Sequence, residues 1–192
     1  MKNKKVLLYS GGLDSWLIDK LWKPDVKLHL KIGTMQNEIE SSILPKDVIV
    51  KKIKLDEYVI DDGIVTIPLR NLIFLCLAVN YGNVICLGGT ADDLHYDKTL
   101  GFIKDSENLF NSVLSKEKND KDFSQNIKIV MPWKEKTKIQ ILKQYIDEGG
   151  DARSAYKSSF SCHFPKNKKE CCECIACIKK INAFKEVGYD FS

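Results

Sequence analysis

Short apolar runs alternate with longer amphipathic stretches along this chain, and the alternation predicts strands and helices in turn. Lys4 to Tyr9 is a compact apolar run, and Trp16 to Trp22 reads as a helix. Val26 to Ile32 alternates as Val-Lys-Leu-His-Leu-Lys-Ile, the period of two expected of a strand. Asn37 to Leu44 predicts a short helix closed by Pro45, and Val48 to Ile53 a third strand. Residues 55–68 give no clear period and end at Pro68. Arg70 to Tyr81 is apolar on most faces and predicts a buried helix stopped by Gly82. Val84 to Leu87 predicts a buried strand running into Gly88-Gly89-Thr90. Residues 105–118 read as a helix, 116–126 as a solvated loop, and Ile127 to Val130 as a fifth strand before Pro132. Ile139, Leu142, Tyr145 and Ile146 recur at helical spacing ahead of Gly149-Gly150. Helices between short buried strands predict an α/β fold around a parallel five-stranded sheet with helices on both faces. Such sheets bind ligands beyond the carboxyl ends of their strands.

One of those strand ends carries distinctive chemistry. Lys5 to Tyr9 runs into Ser10-Gly11-Gly12-Leu13-Asp14-Ser15. Two glycines let the backbone approach an anion, consecutive N–H groups line the concavity, and a following helix N-terminus favours negative charge. Ser10 and Ser15 add hydroxyls. Asp14 is the odd member, because a carboxylate beside phosphates needs a bridging cation, which points to magnesium. Neither the Gly-x-x-x-x-Gly-Lys-Ser/Thr pattern nor Gly-x-Gly-x-x-Gly follows this strand. Gly88-Gly89-Thr90, followed by Asp92 and Asp93, would face the same crevice, either as metal, ammonia or substrate contacts or as a solvated turn.

Composition narrows the class. The 192 residues suit one domain with a full core. No apolar run approaches membrane-spanning length, and Val6 to Tyr9 is too short for a signal-peptide core behind the basic Met1–Lys5. The expectation is a cytoplasmic protein. A net charge of +4, dispersed along the chain, gives no basis for direct nucleic-acid binding.

Of seven cysteines, five fall between Cys162 and Cys177. Cys76 and Cys86 sit in apolar surroundings and read as buried, inert thiols. Cys162-x8-Cys171-x2-Cys174-x2-Cys177 has the spacing of a metal site, since a Cys-x2-Cys turn lets two sulfurs grip one ion. The leading set is Zn²⁺ held by Cys162, Cys171, Cys174 and Cys177. An iron–sulfur cluster, His163 or Cys172 as a replacement ligand, and an overlapping redox pair stay open. The segment 152–190 would then depend on its metal for stability. His29 and His95 read as solvated or structural.

The stretch Ser-Gly-Gly-x-Asp-Ser after a first strand resembles the PP-loop of the ATP pyrophosphatase superfamily. Together with Pro68-Leu-Arg-Asn71-x2-Phe74-Leu75, Gly88 with Asp92 and Tyr96, Pro132 followed by Lys138, Ser161-Cys162-His163 and the cysteine tail before Ala183-Phe184, it resembles the 7-cyano-7-deazaguanine synthase (QueC) family. The resemblance implies an adenine nucleotide α-hydrolase (HUP-like) fold and one synthase domain over 1–192, with the zinc segment inside it. It implies a homodimeric ligase that uses ATP and ammonia to convert 7-carboxy-7-deazaguanine to the nitrile. ATP would lie on Ser10, Gly11, Gly12, Leu13, Asp14 and Ser15, the substrate on Arg70, Asn71, Asp92 and Tyr96, and the chemistry on Asp14, Ser15, Asp92 and Lys138.

The chain departs from that pattern in places. Cys172 stands where the family usually has glycine, and His163 where it has tyrosine. Asp97-Lys98-Thr99-Leu100 replaces Pro-Asp-Cys-Arg. The stretch between Trp16 and Arg70 is shorter than usual. A PP-loop tRNA thiolase is the second reading, weakened by the want of an RNA-binding extension. A non-catalytic nucleotide-binding homologue is the third.

Overall fold

The computed structural model describes residues 3–61, 65–116 and 126–189. Five strands form one parallel sheet in the order β3-β2-β1-β6-β7: β1 Lys5–Leu8, β2 Val26–Lys31, β3 Val48–Lys52, β6 Val84–Cys86 and β7 Lys128–Val130. Val6 pairs with Val26 on one side and Ile85 on the other, and Ile85 pairs in turn with Ile129. A short antiparallel pair, β4 Ile60–Asp61 and β5 Val65–Thr66, occupies the stretch that showed no period. The solvated loop expected at 116–126 falls almost wholly outside the described residues.

Alternation along β1 divides the core in two. Val6 and Leu8 face a cluster with Leu28, Leu30, Leu75, Ile85, Phe102 and Phe110. That layer includes α3 Arg70–Ala78 and α4 Leu100–Lys116. Leu7 and Tyr9 face the opposite cluster with Leu13, Leu17, Ile141, Leu142 and Phe184. Here the layer is α1 Leu13–Trp22, α5 Lys138–Asp147, α6 Ala152–Lys157 and α7 Ile175–Glu186. Helices therefore cover both faces. The remaining helix, α2 Met35–Ser42, follows β2 and packs against it. No helix among the described residues is long and apolar enough to cross a membrane.

Gly82 closes the turn from α3 into β6. A Cβ there would lie 2.4 Å from the Lys4 carbonyl oxygen, so only glycine lets the chain pass β1. Three sequence expectations need adjustment. Cys76 is exposed, because α3 buries Asn71, Leu75 and Ala78 and turns Cys76 outward; Cys86 is buried as expected. In α5 the buried pair is Ile141 and Leu142, while Ile139 in the first turn is exposed. Helix α4 begins five residues earlier than its apolar pattern suggested, with the Thr99 hydroxyl accepting from Phe102 N–H at 3.2 Å.

His29 is structural. Its buried ring donates from Nδ1 to the Tyr9 carbonyl (2.9 Å), and Nε2 meets the Ser41 hydroxyl (2.8 Å) and the Asn37 amide (3.3 Å). Burial holds its pKa below the usual value. The network ties the end of β1 to α2, immediately ahead of Ser10.

Candidate active site and metal centre

β1 is flanked by β2 and β6, so the strand order reverses at its carboxyl end. A doubly wound sheet places its ligand crevice there. Ser10 to Gly12 leave β1 at this point and α1 starts at Leu13, three residues earlier than the sequence suggested. Asp14 and Ser15 therefore sit in the first helical turn. Gly11 has φ +86°, a conformation costly for any residue with a Cβ.

Four successive N–H groups of this turn are held by serine hydroxyls. Ser10 N–H and Gly11 N–H both donate to Ser15 Oγ at 3.2 Å, and Gly12 N–H to Ser10 Oγ at 3.1 Å. Leu13 N–H donates to Ser161 Oγ at 3.2 Å. A bound anion would exchange with those hydroxyls, and the donors are aligned before it arrives.

Lys138, 124 residues beyond Asp14, joins this turn: its Nζ lies 2.5 Å from Asp14 Oδ1. Its own N–H, at the start of α5, donates to Asp92 Oδ2 at 3.0 Å. Three of the four candidate catalytic residues thus meet across β1, β6 and β7, and Ser15 lies next to Asp14. The α5 start is fixed by a capping box: Thr137 and Gln140 satisfy each other's N–H groups. Asp14 therefore already has a cation in Lys138, and its charge by itself does not require magnesium.

The other candidates are held by separate contacts. Asn71, only 4% exposed, donates to Asp97 Oδ2 at 2.8 Å. Lys98 Nζ pairs with Asp93 Oδ1 at 2.8 Å. Asp93 accepts from Thr90 N–H at 2.9 Å. Burial opposes its ionisation, yet Lys98 holds the carboxyl below the usual range. Asp97 and Lys98, two of the residues that depart from the family pattern, therefore brace this turn. Tyr96 is exposed and donates its hydroxyl to Asp105 at 2.7 Å. Arg70 is half-buried, and its charge acts on Glu40. Lys134, which the sequence reading passed over, donates to the carbonyls of Thr90 and Asp93 at 2.8 Å. It lies in a lysine-rich turn that reads as solvated.

Glu40 was also unforeseen. It is buried in α2, and its carbonyl is 3.9 Å from where a Gly11 Cβ would stand. Burial raises its carboxyl to about 7, against the pull of Gln36 and Arg70. Between its ordinary value and 7, the folded chain keeps a proton that the unfolded chain has lost. Stability is then full below the ordinary carboxylate range and falls as pH rises through 7. Glu40→Gln is expected to be more stable than the parent at pH 8, by about 3 kcal/mol, and to converge with it near pH 4. Urea denaturation at the two pH values measures this; an equal gap at both removes the titration as its cause.

The cysteine cluster stands beside the loop. Phe160 N–H donates to the Gly11 carbonyl at 2.9 Å, and Cys162 follows two residues later. The sulfurs of Cys162, Cys171, Cys174 and Cys177 all lie within 4.8 Å of one another. Cys171 and Cys177 are 3.9 Å apart. A tetrahedral ion with bonds of about 2.3 Å needs edges of about 3.8 Å. The donor set fits a single thiolate-binding ion such as zinc and is too tight for a multi-iron cluster. Backbone N–H groups point at the sulfurs: Cys171 N–H to Cys162 (3.3 Å), Cys174 N–H to Cys171 (3.3 Å) and His163 N–H to Cys174 (3.4 Å). Burial raises the Cys174 thiol, but the His163 N–H and donors from Cys177 and Cys171 outweigh it and hold it at about 6. The His163 ring is outside the set. So is Cys172, whose φ of +61° suits glycine, the residue usual there in the resembled family.

A family model described as "Queuosine biosynthesis protein QueC" matches residues 21–188. The match begins after the Ser10–Ser15 turn, so that turn is an independent observation. A 7-cyano-7-deazaguanine synthase of Rickettsia rickettsii (strain Sheila Smith) is 28% identical over 226 aligned positions, covering 97% of this chain and 96% of the relative. That alignment is longer than the chain, so the relative carries insertions that this chain lacks. The Rickettsia akari (strain Hartford) protein of the same name is 31% identical over 134 residues, covering 66% of this chain and 56% of its own. The one from Persephonella marina (strain DSM 14350 / EX-H1) is 27% identical over 148 residues, 72% of this chain and 60% of its own.

Proposed function

The chain belongs to the QueC family of queuosine biosynthesis proteins, and on that premise we propose that it is an ATP-dependent carbon–nitrogen ligase. It converts 7-carboxy-7-deazaguanine and ammonia to 7-cyano-7-deazaguanine. The observation that carries this is the meeting of Lys138 with Asp14 at the mouth of a turn whose successive N–H groups already point at oxygen acceptors.

A carboxylate oxygen is a poor leaving group, and ATP supplies the cure by giving it a phosphorus to leave on. The N–H groups of Ser10 to Leu13 hold the phosphates, with Ser15 at their centre. Asp14, and Asp92 at the Lys138 N–H, would hold Mg²⁺, which would neutralise charge on the phosphates. Lys138 exchanges Asp14 for the charge that develops on the transferring phosphate. Ammonia then displaces the activated oxygen to give the amide, and a second activation removes the amide oxygen to give the nitrile. Arg70, Asn71 and Tyr96 line the deazaguanine side, with Arg70 offering the charge for a carboxylate.

Zinc fills the four-cysteine site and is structural, since four thiolates leave no open position. We read 1–192 as one synthase domain, with 152–190 as its zinc-binding segment. The working form is a cytoplasmic homodimer that acts on a free base and touches neither membrane nor nucleic acid.

The test is incubation with 7-carboxy-7-deazaguanine, ammonia and Mg-ATP, read by mass spectrometry for amide and nitrile. The Asp97-Lys98-Thr99-Leu100 segment favours one competing reading, a homologue that binds the nucleotide without this chemistry. Zinc-loaded protein that binds ATP and leaves the deazaguanine unchanged would decide for the competitor.

A further inference from the structure

Lys180 is 1% exposed, in the middle of α7. A buried ammonium is costly unless paired and hydrogen-bonded. Its Nζ donates to the Ser159 carbonyl at 2.6 Å and to both Glu170 oxygens at 3.1 Å, and it lies 4.7 Å from the centre of the Tyr156 ring. Glu170 Oε1 in turn accepts from Ser161 N–H at 2.5 Å. The ion pair thus grips the three residues Ser159 to Ser161 by a carbonyl and an N–H. On their other side Phe160 and Ser161 grip the PP-loop. Phe160 N–H donates to Gly11 O at 2.9 Å, and Leu13 N–H donates to Ser161 Oγ at 3.2 Å.

We propose that Ser161 is a nucleotide-phosphate contact, and that Glu170 and Lys180 are the positioning residues that aim it. This rests on the reading of the Ser10–Ser15 turn as an ATP site. Ser161 Oγ already stands at the N–H that opens α1, where a phosphate oxygen would sit. A hydroxyl there can turn and donate to that oxygen once the N–H is shared. Glu170 and Lys180 touch neither loop nor phosphate. They act by fixing the backbone on both sides of Phe160, at the point where the chain enters Cys162. The pair is a rigid spacer between the metal cluster and the loop. An apolar pair could fill the same space, but it could not hold an N–H and a carbonyl at once.

The experiment measures Mg-ATP binding by calorimetry on zinc-replete protein, with zinc content and thermal midpoint recorded for each variant. The parent must bind Mg-ATP; if it does not, the ATP-site reading itself fails and this inference falls with it. With a binding parent, Ser161→Ala is expected to weaken Mg-ATP about tenfold while zinc content and midpoint stay unchanged. Glu170→Gln keeps the shape and loses the charge. It should weaken binding by a similar factor, and the double variant Ser161→Ala/Glu170→Gln should lose little more than either single one. Lys180→Arg should retain most of the affinity that Lys180→Met loses. In turnover assays the losses should appear in KM for ATP, with kcat little changed. Parent-like affinity in Ser161→Ala overturns the contact. Fully additive losses in the double variant, or a Glu170→Gln effect confined to the thermal midpoint, overturn the positioning role.

Discussion

Cys171→Ser is expected to leave the purified protein with little bound zinc and to unfold the segment that follows α5. Cys171 gives one of four sulfurs that lie within 4.8 Å of one another, so its loss opens the cage on one side. The phenyl ring of Phe160 and the sulfurs of Cys162 and Cys177 form the whole buried apolar cluster here, with Ile39, Cys171 and Cys174 only partly buried against it. That is little core for the cysteine loop itself, since Ala155, Ala183 and Phe184 of the flanking helices belong to the main core. A structural zinc contributes on the order of 10 kcal/mol, comparable with a whole domain's net stability of about 5–15 kcal/mol. Metal analysis by mass spectrometry and limited proteolysis of the 152–190 region measure the effect. Cys172→Ser should change neither. Cys172→Gly should raise stability by roughly 1 kcal/mol, because the residue holds φ +61°. Zinc lost with Cys172 but kept without Cys171, or iron in place of zinc, would reassign the site.

Lys138→Met and Asp14→Ala should each lower turnover by roughly two to three orders of magnitude, the loss typical of a group that stabilises developing charge. Neither should unfold the protein. Lys138 is held at its backbone by the Thr137 capping box, and Asp14 by the first turn of α1; their side chains reach each other at the crevice and stop there. Phosphate or pyrophosphate release from ATP, with circular dichroism as a control, is the measurement. Undiminished ATP consumption in Asp14→Ala would discard its catalytic role.

The fold was legible where strands are buried on both faces and read as short apolar runs, as β1 and β6 do, and where β2 alternates with a period of two. Val84 to Leu87 needed only its neighbours Gly82 and Gly88 to be placed. Boundaries were less legible at helix starts. Helix α1 takes in Leu13, Asp14 and Ser15 because the loop turns at Gly11, and helix α4 starts at the Thr99 cap, so that Phe102 and Ile103 of its first turn lie ahead of the expected start at 105. Cys76 was misplaced because an apolar neighbourhood in sequence does not say which side of a helix faces out.

The candidate residues stood out in their motifs, and the groups that brace them did not. Lys134, Glu170 and Lys180 each sit among charged neighbours and read as surface. Yet a signal for Lys180 was present. Cys177, Lys180, Ala183 and Phe184 are the buried residues of α7, spaced three, three and one apart. A lysine on the apolar stripe of a helix must find a carboxylate, and Glu170 was the acidic residue across the cysteine loop. The meeting of Asp14 with Lys138 could not be read from spacing, because sheet order alone brings β1 and β7 to the same edge of the crevice.

The pairing of Lys5 with Val84, and of Ser161 with Leu13 across 148 residues, sets an order of assembly during synthesis. The first strand lacks its β6 neighbour until about 80 further residues are made. Such non-local parallel pairing is slow and leaves apolar surface open in the meantime. The face made by Leu13, Leu17, Ile141 and Leu142 waits longer still, for Ala183 and Phe184 of α7. A chain that stalls, or whose four-cysteine site stays without an ion, before that helix docks keeps an apolar face uncovered and the Ser10–Ser15 turn without its Ser161 partner. Metal supply during translation would therefore govern the yield of soluble protein before it governed any rate.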